Sequence, residues 1–327
     1  MASVARSTLR DRVLHSGCLS SRHCNAGGSG IELTAVEYIN KKALPWAETT
    51  IIPLGDIQLQ TNEDTVDIAR LKRVIEYGTK HNAYYFGMGD YVDEESPSNR
   101  KAIRAAGFYD SFHDAIDLAA EERLAKLQEI LEPTRGRWLG LVEGHHYHEF
   151  QDGSTTDTRL AEWLDCPYMG TTAAVNVTFQ LPKSKDGKPR HIANPSRTIW
   201  AHHGRGGGQL SSAGLNKLET VMKWFDADIY LMGHTHQAGA IRKQRIVPKF
   251  GLKKGRLEHR DLFLANTGSF LKGYLEGHQR GGRAQGLYVE QAMMAPVSLG
   301  VVKIHILPHW RMVQGGGMAV LDVSVEV

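Results

Sequence analysis

Phe86-Gly87-Met88-Gly89-Asp90-Tyr91-Val92-Asp93 is the stretch on which the reading of this chain turns. Residues 83–88 form a short apolar run of the kind that makes a buried strand. The glycine after it lets the backbone turn sharply, so Asp90 falls at the strand's carboxyl end. Open α/β sheets place their ligands at such ends. If other metal-type side chains sit at neighbouring ends, Asp90 becomes a candidate bridge between two cations.

Four more apolar runs end in the same way. Gly55-Asp56-Ile57-Gln58 follows residues 50–54, and Glu143-Gly144-His145-His146 follows residues 138–142. His202-His203-Gly204 follows residues 198–201, and Gly233-His234-Thr235-His236 follows residues 228–232. A lone Gly-Asp or His-His pair says little, but five such turns in succession point to one site.

The 327 residues, 41% of them apolar, suffice for a sizeable core. No repeat or clear linker interrupts residues 31–327, so a single catalytic domain is expected there, after a disordered leader over residues 1–30. That leader carries Arg6, Arg10, Arg12 and Arg22 among serines, with Asp11 its only acid. The same composition suits a mitochondrial-type transit segment. A net charge of +3 demands no acidic partner. Cys18, Cys24 and Cys166 cannot build a disulfide framework and argue against a cysteine-built zinc site, which suits a reducing, cytoplasmic setting. No apolar run approaches the roughly 20 residues that cross a bilayer, so no membrane partner is expected.

Residues 49–54 read as the first core strand, and Val66, Ile68, Leu71, Val74 and Ile75 have helical spacing over residues 65–80. Strand, helix and strand then make a βαβ unit with parallel pairing. Phe112, Ile116, Ala119, Leu124, Leu127 and Leu131 give one apolar helical stripe, while Val175, Val177 and Phe179 alternate as in a half-buried antiparallel strand. Residues 239–247, 260–269 and 301–307 read as a second group of strands. Gly204-Arg205-Gly206-Gly207-Gly208 precedes a helix over residues 211–225, and reads either as an anion cradle or as a plain connector. Arg242, Lys243, Arg245, Lys249, Lys253, Lys254, Arg256 and Arg260, with Glu258 the only acid among them, make a solvated face or a surface that attracts phosphates.

Carboxylate and imidazole without thiolate suit hard and borderline divalent cations. Two cations about 3.5–4 Å apart need a shared ligand, and Asp90 is the natural one. Alternation along an extended chain would point Asp56 and Gln58 the same way, and likewise His234 and His236.

The order GDIQ, GDYVD, EGHH, HHG, GHTH resembles the calcineurin-like metallophosphoesterase superfamily, whose motifs run D-x-H, G-D-x-x-D, G-N-H-D/E, H and G-H-x-H. The resemblance covers about residues 49–236, and more loosely Asn266-Thr267-Gly268-Ser269. It implies an α/β fold with a two-sheet β-sandwich flanked by helices, in four layers, and a dimetal site at the strand tips. Asp56, Gln58, Asp90 and His236 would surround one metal. Asp90, His145, His234 and His203, with His202 as the alternative, would surround the other. His146 would be the catalytic histidine and Asp93 the carboxylate that orients it.

The cofactors implied are two divalent metal ions, manganese first, with iron, zinc or magnesium as alternatives. Two positions depart from the pattern. Gln58 stands where histidine is usual and is a poorer ligand, whereas His145 competently replaces asparagine. The expected activity is hydrolysis of a phosphoester by a metal-bridged hydroxide, with His146 protonating the leaving oxygen. A phosphodiester, in nucleic acid or a nucleotide, is preferred over a monoester. The Gly-Asp-Tyr-Val-Asp run is similar to that of the Ser/Thr protein phosphatases, but those continue with arginine; here Glu94 follows, an acid expected to repel phosphate. A binding or scaffold module on the same fold, without turnover, is the alternative.

Overall fold

The computed structural model describes residues 38–183, 193–206, 208, 210, 212–250, 255–313 and 316–327. The leader expected over residues 1–30 lies outside the described residues, as do Gly207, Lys253 and Lys254. Everything described belongs to one compact unit.

The βαβ unit forms where the apolar runs placed it. Strand β2 (Thr49–Leu54) is buried at every position and pairs in parallel with β3 (Tyr84–Gly87), which pairs in parallel with β4 (Trp138–Leu141). Helix α1 (Ile68–Lys80) makes the crossover, and the Asp67 side chain accepts the Arg70 N–H at its start. That bond satisfies one of the amides a helix start leaves open. Strands β13 (Lys303–Val313) and β14 (Gly316–Glu326) extend this sheet antiparallel in the order β14-β13-β2-β3-β4.

A second sheet runs β1 (Tyr38–Leu44), β5 (Thr172–Phe179), β6 (Ser196–His202), β7 (Ile229–Met232), β9 (Gly255–Ser269) and β12 (Gly300–Val301), with β8 (Ala238–Phe250) paired to β9. A short ribbon joins β10 (Gln279–Arg280) to β11 (Arg283–Ala284). The remaining helices are α2 (Pro97–Ala105), α3 (Asp110–Leu131), α4 (Thr156–Trp163), α5 (Ser212–Val221) and α6 (Tyr288–Gln291).

Alternation along the strands produces the layers. Ile51, Phe86 and Leu139 turn inward to meet Val175, Val177, Phe179, Ile199, Ile229 and Leu231 of the other sheet. Ile52, Leu54, Tyr85 and Trp138 turn outward and pack with Leu71 and Ile75 of α1, with Leu124, Leu127 and Leu131 of α3, and with Leu160 of α4. Trp200, Tyr230 and Leu264 cover the outer face of the second sheet with Leu218 of α5. The architecture is therefore mixed α/β, two sheets face to face with helices on both outer sides. Each fully buried large apolar side chain contributes about 1.5–3 kcal/mol relative to exposure.

Three expectations need adjustment. The α3 stripe is buried only toward its C-terminal half, at Leu124, Leu127 and Leu131, and Phe112 remains 43% exposed. β5 is antiparallel to β6 but parallel to β1, whose mixed sequence, with Ile39 75% exposed, gave no alternating signal. The strand expected over residues 301–307 is divided: Val301 ends β12 in the second sheet, and Lys303 opens the longer hairpin β13–β14 of the first. No helix among the described residues is long and apolar enough to cross a membrane.

Candidate metal centre

The parallel strands β2, β3 and β4 end on the same side, and their loops go on pairing beyond the last ladder bond. Asp56 N donates to Gly89 O and Gln58 N to Asp90 O, both at 2.9 Å. These loops are not extended. Asp56, Gln58, Asp90, His234 and His236 have φ of 47°, 49°, 52°, 66° and 58°, in the left-handed region. Among the described residues only three other non-glycine positions, Asn82, Asp165 and Met293, do so. Asp56 and Gln58 do converge, as do His234 and His236, but through left-handed kinks two residues apart and not through strand alternation. Asp and His tolerate this conformation better than most residues, and such backbone gathers at functional sites. Gly89, at φ 87°, is required for space as well: a Cβ there would lie 2.7 Å from Gly144 Cα and 2.8 Å from His203 Nδ1.

Asp90, 1% exposed, stands at the centre. Its Oδ1 accepts the backbone N–H groups of His145 and His146, the latter at 3.1 Å. Its Oδ2 lies 3.1 Å from His203 Nε2 and 3.4 Å from Gln58 Nε2. Asp56 Oδ2 accepts from His234 N at 2.9 Å, while its Oδ1 is buried, accepts no hydrogen bond and has His236 Nε2 at 3.4 Å. Two groups of potential ligand atoms result, His145 with His203 and His234, and Asp56 with Asp90 and His203, each within 4.8 Å. His145 Nδ1 and His234 Nδ1 are 3.3 Å apart, about the separation of two nitrogens bound at roughly 2.0–2.1 Å to one tetrahedral ion.

Electrostatics follow from burial and from these contacts. Burial alone would raise the Asp90 pKa, but the charge and hydrogen bond of His203, then His146 and the His145 N–H, hold it well below the usual carboxylate range. Burial would lower His203, yet Asp90 and then Asp56 bring it up to about 9. His234 is pushed down to about 4 by burial and then by the charges of His203 and His145, and His145 is lowered by burial and then by His203. His145 and His234 therefore keep free lone pairs at neutral pH. An orphaned buried carboxylate oxygen in a cluster that also holds the neutral imidazoles of His145 and His234 fits a bound divalent cation. Gln58 fits less well, because its amide N–H, and not its oxygen, is turned toward Asp90.

His202 and His203 separate cleanly. His203 is 1% exposed and its Nδ1–H donates to Met88 O, 2.7 Å away, on the cluster side. His202 accepts from Gly204 N at 2.7 Å and stacks on Trp200, on the opposite face of β6. His146 lies beside the cluster, its Nδ1 2.7 Å from Asp93 Oδ1 and its Nε2 4.0 Å from Asp90 Oδ2. Burial would lower its pKa, but the bond to Asp93 and the charge of Asp90 raise it. Gln60 Nε2 holds the other oxygen of Asp93 at 2.5 Å, and Thr65 Oγ1 holds Gln60 Oε1 at 3.1 Å.

No model of a known protein family matches the chain, and no curated protein does. Among solved structures it is similar to a double mutant of Vps29 from Entamoeba histolytica, at 10% identity and TM-score 0.31, over 85% of this chain and 99% of that one. It is similar also to an uncharacterised protein from Streptococcus pneumoniae TIGR4, described as a predicted phosphoesterase, at 13% identity and TM-score 0.26, over 84% and 99%. At such scores the likeness is loose, and the site residues stand on their own geometry.

Several supporting residues had no signal in the sequence. Arg100 of α2, 9% exposed, donates to the carbonyls of His145 at 2.9 Å and Tyr147 at 2.7 Å, while Glu94 N donates to His146 O at 3.0 Å. The turn carrying His145 and His146 is thus held at three successive carbonyls. Beneath it, Asp157 Oδ2 accepts from Gly144 N at 3.0 Å. Glu94 corrects an expectation: Arg123 of α3 grips its carboxylate with Nε at 2.6 Å and with Nη2, and leaves the side chain 3% exposed. The acid is neutralised, so the repulsion of phosphate expected from it does not operate.

The basic hairpin is corrected in part. Arg245 pairs with Asp226 at 2.6 Å, Arg260 with Asp226 at 2.9 Å and Asp228 at 2.8 Å, and Lys243 with Glu219 at 3.0 Å. Those acids were distant in sequence from the basic run and came to it through β7 and α5. In the glycine-rich loop, Lys217 binds the carbonyls of Arg205 and Gly206, the latter at 2.7 Å.

Proposed function

We propose that this protein is a dimetal-dependent phosphoesterase, similar in plan to the calcineurin-like metallophosphoesterases. The observation that carries the reading is the Asp90 carboxylate, which faces His203 and Gln58 with one oxygen and holds the His145–His146 turn with the other. One cation would be held by Asp56, Asp90, His236 and, more weakly, Gln58; the other by Asp90, His145, His203 and His234. Bound there, two divalent ions, manganese first among them, supply Lewis acidity and lower the pKa of water.

The remaining work belongs to the chain. His146, raised in pKa and fixed through Nδ1 by Asp93, presents Nε2 to a leaving oxygen and can hand it a proton. Gln60 and Thr65 keep Asp93 from rotating. A phosphodiester is preferred over a monoester. With much of the basic hairpin answered by acids, that preference rests on the glycine-rich loop after His203. Gln58, whose amide N–H points at Asp90, favours a second reading: a binding module that keeps the fold without turnover.

Metal content and a substrate pair separate these readings. After manganese loading, the enzyme should carry near two ions per chain and hydrolyse bis-p-nitrophenyl phosphate faster than p-nitrophenyl phosphate. No bound metal and no turnover would leave the binding module. Faster monoester turnover would reverse the substrate preference alone.

A further inference from the structure

A second basic element lies outside the cluster, and its charge is unanswered. Arg280-Gly281-Gly282-Arg283 is a two-residue hairpin turn with both glycines left-handed, φ 59° and 75°, as a type I′ turn requires. Its register places Arg280 directly opposite Arg283. Like charges so placed destabilise a ribbon. Yet among the described residues neither guanidinium forms an ion pair or hydrogen bond, and Glu276 and Glu290 of the same loop pair with neither. Both arginines are exposed.

The surroundings supply aromatic faces. Tyr274 is 46% and Tyr288 69% exposed, and Tyr274 is steadied by donating Oη–H to Met294 O at 2.9 Å. His278 Nδ1 meets Gln285 O at 2.6 Å and closes the loop below the ribbon. A hollow of about 530 Å³ opens there, lined by Tyr274, His278 and Gln285 and by the carboxylates of Glu276 and Glu290; Arg280, Arg283 and Tyr288 stand outside it. The loop springs from the rim of the metal centre: Phe270 N donates to Asp56 O at 3.1 Å and Lys272 N to Thr65 O at 2.8 Å.

We propose that residues 272–288 bind single-stranded nucleic acid, with Arg280 and Arg283 on backbone phosphates and Tyr274 and Tyr288 offering ring faces to bases. Guanidinium matches phosphate in a planar fork, and a polyanion laid across the turn removes the repulsion between the two arginines. Exposed tyrosines beside basic groups stack on bases of any identity, but only where those bases are unpaired. This element is separate from the cation-binding side chains and stands whether or not the cluster turns over.

The test is fluorescence anisotropy with a labelled oligothymidylate of about 15 nucleotides, in EDTA, over a series of salt concentrations. EDTA makes the result independent of the metal reading. The Arg280→Ala/Arg283→Ala protein should bind at least tenfold more weakly, with the salt slope reduced by about 1.4, two phosphates at roughly 0.7 each. Arg280→Lys/Arg283→Lys should keep the slope and bind with intermediate affinity, which guards against a folding defect. Tyr288→Ala should weaken binding with the slope unchanged. Absence of binding by the native protein, an unchanged slope in the alanine pair, or full competition by millimolar inorganic phosphate would overturn the proposal, as would tighter binding of a duplex of equal length.

Discussion

The two halves of the candidate centre are built to different standards. On one side His145, His203 and His234 bring three imidazole rings together edge to face, with ring centres 4.7–5.2 Å apart. On the other, Asp56 offers an orphaned oxygen, His236 stands at 3.4 Å, and Gln58 presents an N–H where a lone pair is wanted. The difference teaches that position and competence are separable. Left-handed backbone delivers the Gln58 side chain to within 3.4 Å of Asp90, but an amide is a poor donor to a cation. We expect tight binding in the imidazole half and weak binding opposite it.

Removing the shared member breaks both halves at once. Asp90→Asn should lower metal-dependent hydrolysis by more than roughly 10²–10³-fold and reduce manganese per chain. Full activity in that variant would take Asp90 out of the role. Making the halves alike is a milder change. Gln58→His should tighten the weaker manganese step by roughly tenfold, about 1.4 kcal/mol, in a calorimetric titration, and should leave the tighter step unaltered. An effect on the tighter step alone would reverse the assignment of the two halves.

The smallest effect lies beneath the imidazole half. Burial, opposed by the Gly144 N–H and helped by the charges of Asp90 and Glu143, raises Asp157 from 3.8 to about 7. The folded protein then holds a proton that the unfolded chain has released, so stability falls as pH rises from about 4 to 7. Asp157→Asn keeps an acceptor for Gly144 and removes that decline. In urea denaturation of metal-free protein, the variant's advantage should grow between pH 4.5 and pH 7.5, and an advantage constant with pH would contradict the assignment.

How much of this was legible in the sequence depended on range. Runs such as residues 50–54 and 83–88 state their burial locally, and each is followed at once by its ligand-type residue, so those strands and the candidate positions at their tips were within reach, with His202 and His203 left as alternatives. The four-layer packing followed from the resemblance alone, because a strand buried at every position, such as residues 49–54, carries no alternation to assign its two faces. What could not be read were partners far along the chain. Arg100 on the carbonyls of His145 and Tyr147, Arg123 on Glu94, and Asp226 on both Arg245 and Arg260 are tertiary pairings without periodicity. Strand β1 stayed hidden because its polar residues follow no period of two.

The left-handed turns also limit how this protein can change. At Asp56, Gln58, Asp90, His234 and His236 any residue with a Cβ bears about 1–2 kcal/mol of steric cost, and a β-branched one more. Substitution there is funnelled toward glycine, asparagine, aspartate and histidine, and three of those four can ligate a cation. Random drift at these corners is thus biased toward residues able to ligate a cation.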